Sequence, residues 1–195
     1  MTFFPSVPKF DNPQIIGGVE YRSLSEDHVT YVPIMFGWSL EVVIKAGFKT
    51  DGATVSISNA LLKDSKFCKK IRKLVKKYFP EEEFDSIYRR LVGTPWDIPR
   101  LLAAVVHDAL YSLKWKCRWL CDNVYRFVLI AAGYDPIRRE IEYDAIRLVG
   151  WRHLNAVTKE ERKEAKNLVF VRLVKTKDIP SLIGKVEEIK GRNLK

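Results

Sequence analysis

Leu101-Leu102-Ala103-Ala104-Val105-Val106-His107-Asp108-Ala109-Leu110-Tyr111 is the stretch on which the fold turns. Six apolar residues lead into a histidine and a carboxylate, so one apolar helix carries ionisable groups where packing alone favours none. Gly93-Thr94-Pro95 breaks the chain ahead of it, Asp97 is a candidate N-cap, and Pro99 falls in the first turn, where its missing N–H costs little. The pattern predicts a helix reaching about Leu113.

Working outward, a short turn, Lys114-Trp115-Lys116, leads into a second helix from about Arg118 to Ala132, closed by Gly133. A third opens with Asp135 as N-cap and Pro136 at the first helical position, and Gly150 reads as its stop. Three sequential helices with short joints must pack side by side. Upstream, Trp38, Leu40, Val42 and Ile44 alternate with Ser39, Glu41, Val43 and Lys45 behind Gly37, which predicts a hairpin or small sheet between Thr30 and Phe48. It ends in a loop whose glycines, Gly47 and Gly52, hold Asp51 in a tight turn.

Residues 61–79 read as an amphipathic basic helix stopped by Pro80. After Trp151, Thr158-Lys159-Glu160-Glu161 has the form of a capping box opening a short helix, and Leu168 to Val174 reads as a late strand. The class is therefore α+β: an N-terminal β-hairpin or small sheet packed on three or more helices. Residues 1–156 form one domain with the basic helix 61–79 inserted, and 157–195 form a basic C-terminal extension.

Composition bounds the rest. The chain has 195 residues, 47% of them hydrophobic and 30% charged, enough for one globular core. Its apolar runs stop well short of the roughly 20 residues that cross a bilayer, so no transmembrane segment is expected. The amino terminus, Met1-Thr2-Phe3-Phe4-Pro5, lacks a basic region leading into an apolar one, so no secretory signal is expected and the chain is read as starting in the cytoplasm.

The three cysteines are an odd set, and Cys117 and Cys121 stand one helical turn apart, which predicts buried free thiols rather than a disulfide framework. The formal charge of +10 sits in two segments, 61–77 and 159–195, while the region around His107 is near neutral. A phosphate-binding or anionic-membrane face on 61–77 and a solvated face around a buried stripe both fit it. Trp115 and Trp119, interleaved with Lys114, Lys116 and Arg118, fit either a nucleic-acid platform or packing of Trp119 under a basic turn. His28 and His153 read as surface residues. No P-loop, dinucleotide fingerprint, nucleophile elbow or HExxH motif occurs.

The chemistry concentrates on the first core helix. His107 and Tyr111 share a face, whereas Asp108 points about 100° away. Antiparallel return of the second helix brings Asp122 back toward His107, where a carboxylate orients an imidazole base. In a catalytic reading His107 deprotonates water or a hydroxyl, Asp122 orients it, Tyr111 supports the network, and Asp108 with Asp51 holds a divalent cation. In the other reading the same groups form a structural polar network, with His107 on Asp122 or a backbone carbonyl and Asp108 on an arginine such as Arg118 or Arg126.

Four ordered blocks carry a resemblance: Ala46-Gly47-Phe48-Lys49-Thr50-Asp51-Gly52-Ala53-Thr54, His107-Asp108-Ala109-Leu110-Tyr111, Cys121-Asp122-Asn123-Val124-Tyr125-Arg126-Phe127 and Ala145-Ile146-Arg147-Leu148-Val149-Gly150. Together they resemble the phage and prophage family called domain of unknown function 1353, over about Thr30 to Leu154. That resemblance implies a viral or prophage origin and no established activity. Its relatives usually carry Ser-Val-Pro after the Asp-Gly-Ala turn, where this chain has Thr54-Val55-Ser56.

Locally, His-Asp-x-x-Tyr followed by a helix bearing Asp is similar to the dyad of phospholipases A2, above all the disulfide-free viral-capsid form. That likeness implies His107 as general base, Asp108 as calcium ligand and Asp122 as the orienting carboxylate, although Gly47 to Gly52 does not match that family's calcium loop. The His-Asp pair is shared with HD-type metal phosphohydrolases, whose upstream histidine has no counterpart here. The expectations are thus a metal-assisted hydrolase of an ester or phosphoester, using calcium, magnesium or zinc, or alternatively a virion structural protein of tail, baseplate or capsid. Its partners would be virion proteins or acidic surfaces, in the host cytoplasm or the virion.

Overall fold

The structure, a computed structural model, describes residues 7–16, 19–50 and 98–179 of the chain. Asp51, Asp97, Cys68, the basic helix expected over 61–79 and the tail from Pro180 lie outside the described residues.

The fold is α+β, with strands first and helices after. Strands β1 (Gln14–Ile16), β2 (Val19–Ser23), β3 (His28–Met35), β4 (Trp38–Ile44) and β5 (Lys49–Thr50) precede helices α1 (Ile98–Ser112), α2 (Arg118–Ala131), α3 (Pro136–Ala156) and α4 (Lys159–Leu168). A last strand, β6 (Val169–Lys175), returns to the sheet. The described strands form two antiparallel sheets, ordered β1-β2-β5 and β3-β4-β6.

The β3–β4 hairpin turns at Phe36 and Gly37, with φ of 51° and 75°. Two positive φ values in succession are what a type I′ hairpin turn demands, and Gly37 meets the demand without a Cβ penalty. Register places Val32 opposite Leu40 and Thr30 opposite Val42, and these side chains are buried. The strand read from Leu168 to Val174 is β6, which pairs with β4 along its length, so part of the segment expected as an appended extension completes this sheet. Arg172, opposite Glu41 on the other face, holds the buried Glu41 carboxylate with both Nε and Nη2, the latter at 3.2 Å. Ahead of β6, Thr158 and Glu161 form the capping box anticipated for α4.

Helix α1 lies at the centre. Eleven of its 15 residues are buried, because its apolar side chains face the β3-β4-β6 sheet on one side and α2 on the other. Helix α2 ends at Ala131, and Gly133 follows with φ of 72°. Asp135 Oδ1 accepts from Arg138 N at 2.9 Å, capping α3 one residue ahead of Pro136. The helix does not stop at Gly150. It continues to Ala156, and Gly150 is buried against Tyr111: a Cβ there would stand 2.4 Å from the phenol oxygen. A glycine that looks like a terminator is instead a point of close helix approach.

One polar cluster is enclosed by the three helices. Arg100 Nε is 2.9 Å from Glu142 Oε1, and both carboxylate oxygens accept phenol hydrogen bonds, from Tyr134 at 2.7 Å and Tyr125 at 2.8 Å. A buried ion pair with its acceptor oxygens satisfied fixes the relative register of α1, α2 and α3.

Candidate active site

His107, Tyr111 and Asp122 converge. Helix α1 presents His107 and Tyr111 one turn apart on the face that meets α2, and the short α1–α2 joint brings Asp122 back against them. Asp122 Oδ1 lies 3.1 Å from His107 Nε2 and accepts the Tyr111 hydroxyl at 2.5 Å. The imidazole is also stacked, with its centroid 4.0 Å from the Tyr111 ring and 5.5 Å, edge-on, from Tyr125. Its plane and its tautomer are therefore both constrained: with a carboxylate on Nε2, that nitrogen carries the proton, and in the neutral ring Nδ1 keeps the lone pair.

The other carboxylate oxygen of Asp122 is held by arginines that the sequence reading did not assign to it. Arg147 Nη1 of α3 donates to Oδ2 at 2.7 Å, and Arg118 Nε of α2 stands 3.6 Å from the same oxygen. Arg118 Nη2 in turn donates to the Arg147 carbonyl at 2.9 Å. The Asp122 side chain has 0% exposure, whereas Arg118 and Arg147 retain 25% and 30%. Burial raises the Asp122 pKa, but the hydrogen bonds from His107, Tyr111 and Arg147 outweigh it and hold the carboxyl below its ordinary value. Burial likewise opposes charge on His107, yet the Asp108 and Asp122 carboxylates prevail and raise its pKa. Tyr111 is pushed up by burial and by its bond to Asp122, so it remains a donor across the physiological range.

Asp108 points elsewhere, as the helical angle requires. Its Oδ2 accepts the Thr50 hydroxyl at 2.5 Å, tying α1 to β5, and its Oδ1 is 3.9 Å from His107 Nδ1, a charge contact rather than a hydrogen bond. Arg118 and Arg126, the partners weighed for Asp108, are engaged at Asp122 and at Glu140, the latter at 2.7 Å. With 28% of its side chain exposed, Asp108 offers hard oxygen donors suited to calcium or magnesium. Among the described residues no group of three or more His, Cys, Asp or Glu side chains is arranged around a metal. Asp51, expected as the second ligand, follows Thr50 and lies outside the described residues.

Several surface expectations are corrected. His28 is 1% exposed, not at the surface, and its Nε2 is 2.9 Å from the buried Thr30 hydroxyl. Trp119, expected to pack, is 58% exposed, and Trp115 is the tryptophan that packs against the core. Cys121 is a buried free thiol, pushed up to about 12 by burial and by Asp122, but Cys117 is exposed. The side chain of His153 lies outside the described residues. No described helix is long and apolar enough to cross a membrane.

Fold and site thus define an α+β protein with a His–Asp–Tyr constellation enclosed by three helices. Compared with known proteins, the chain matches no family model, no curated protein and no solved structure.

Proposed function

We propose that the protein is a hydrolase of esters or phosphoesters in which His107 is the general base. One observation carries this reading: the wholly buried Asp122 takes up His107 Nε2, leaving Nδ1 on the side of the half-buried Asp108. An imidazole held by a carboxylate on one nitrogen, with the lone pair of the other turned toward the partly exposed Asp108, suits general-base chemistry. Tyr111 and Arg147 keep Asp122 fixed and ionised, so His107 is oriented without Asp122 competing for its proton.

The residues then act in a defined order. His107 Nδ1 takes a proton from water as the water oxygen bonds to the carbonyl carbon or phosphorus, and the resulting imidazolium is stabilised by Asp122. The bond to the leaving oxygen breaks, and that oxygen takes the proton back from Nδ1. A calcium or magnesium ion on Asp108, with Asp51 as second ligand, would stabilise the negative charge developing on the substrate. Zinc would instead draw on the Nδ1 lone pair, the same lone pair that His107 needs in order to act as the base. Phage origin rests on the sequence resemblance to domain of unknown function 1353.

The test is a panel of p-nitrophenyl carboxylic esters, phosphomonoesters and phosphodiesters, assayed with calcium or magnesium and with chelator. The reading expects metal-dependent turnover that Asp108→Asn reduces, and absence of turnover on every member contradicts it. A second reading, that the network only fastens the helices of a virion protein, is favoured by Asp122 itself, which bonds residues of α1 and α3 while belonging to α2. Under that reading the loss of His107 changes stability and assembly, and there is no turnover to lose.

A further inference from the structure

Asp122 contributes no surface, so a molecule approaching this site meets the groups around it. Those groups include two guanidiniums, Arg118 and Arg147, with 25% and 30% of their side chains exposed. They are fixed relative to each other, since Arg118 Nη2 donates to the Arg147 carbonyl at 2.9 Å while both face Asp122 Oδ2. Arg147 gives one N–H to Asp122 and Arg118 gives one to that carbonyl, so among the described residues most donors of both forks are uncommitted to protein. Two positive groups share one buried carboxylate. The remaining carboxylate, Asp108, leans away, bound to Thr50.

From this juxtaposition we infer that Arg118 and Arg147 form an anion subsite across Asp122 from His107, and that the substrate carries a phosphoryl group seated there. This rests on the hydrolase reading for the word substrate, and on the arginine geometry alone for the binding. A planar fork matches phosphate oxygens in pairs, which a lysine cannot do. The Asp122 bond orients the Arg147 fork in advance, so little side-chain freedom is left to lose on binding. Neutral esters would forgo these contacts.

The experiment titrates inorganic phosphate into the full chain by calorimetry, for the wild type, His107→Ala, Arg118→Gln and Arg147→Lys, with circular dichroism as the control of folding. Saturable binding is expected in the wild type and in His107→Ala, weakened roughly tenfold or more in Arg118→Gln. Arg147→Lys keeps the charge on Asp122 while losing the fork, so it should fold and still bind phosphate less tightly. Absence of saturable binding in the wild type, or wild-type affinity in both folded arginine variants, overturns the subsite. The two proposals fail separately: phosphate binding without hydrolysis removes the hydrolase reading alone, and hydrolysis of neutral esters without phosphate binding removes the subsite alone.

Discussion

Arg147 Nη1 donates to Asp122 Oδ2 at 2.7 Å, joining side chains 25 residues apart on neighbouring helices. With the His107 and Tyr111 hydrogen bonds, this bond explains how a fully buried carboxylate stays ionised, because together they compensate the desolvation that would otherwise protonate it. Replacing Asp122 by Asn keeps the shape and removes the charge. We expect a loss of about 2–3 kcal/mol in chemical denaturation, below the ~3–5 kcal/mol of a fully enclosed broken pair because both guanidiniums reach water. In the same variant, titration of His107 by NMR should show its pKa falling from the raised value that Asp108 and Asp122 sustain. An unchanged His107 titration would mean that Asp122 does not govern the imidazole.

Gly150 and Tyr111 make a second test. Gly150→Ala puts a methyl where only 2.4 Å separates it from the Tyr111 oxygen, so either α3 moves or Tyr111 leaves Asp122. Overpacking of this kind costs roughly 1–3 kcal/mol. Tyr111→Phe removes the clashing oxygen and leaves the ring carbon at 3.4 Å, a contact that needs only a small adjustment. Combining the two substitutions should therefore recover much of the Gly150→Ala cost, and strict additivity in a double-mutant cycle would contradict the contact.

The pH dependence of stability has an acid and an alkaline limb beside the His107 contribution, which is full below the unfolded imidazole value of about 6.5 and is lost as pH rises through the raised folded one. The Asp122 and Glu140 pKa values are lowered in the folded state despite burial, by His107, Tyr111 and Arg147 at Asp122 and by Arg126 and Arg139 at Glu140. Their stabilisation is present above the unfolded carboxyl range of about 4 and is lost as pH falls through the lower folded values. Tyr31, Tyr111, Tyr125 and Tyr134 are raised, by burial first and then by a neighbouring carboxylate. Their stabilisation is complete below the ordinary phenol value of about 10 and declines as pH rises beyond it. Thermal melts across pH should show both declines, with Tyr111→Phe flattening the alkaline one.

Much of this arrangement can be read in the chain. His107 and Tyr111 are legible as a pair because one helical turn separates them, and Asp122 because a short joint forces antiparallel return. Asp135 and Pro136 announce the start of α3. Arg147 was not legible, since nothing local says which face of α3 meets Asp122. Gly150 misleads because a glycine suits a helix end and a close helix contact equally well. His28 escapes because its burial depends on what the sheet packs against, and the Thr50 partner of Asp108 because it comes from a strand 58 residues earlier.

The Arg100–Glu142 pair reaches the chemistry only through Tyr125, which donates to Glu142 and stands edge-on to His107. Glu142→Gln withdraws the carboxylate 2.9 Å from Arg100, whose side chain is 2% exposed, and should cost about 3–5 kcal/mol in denaturant unfolding. Any fraction that remains folded should retain its turnover per molecule, and a selective loss of turnover would place this cluster in the site.

The most direct measurement compares turnover of one phosphodiester by the wild type and His107→Gln at equal folded concentration, matched by thermal melts. A general base accounts for roughly 10²–10⁴ in rate, so the account predicts a fall of that size with the fold retained. A folded His107→Gln protein that hydrolyses the diester at the wild-type rate would contradict it.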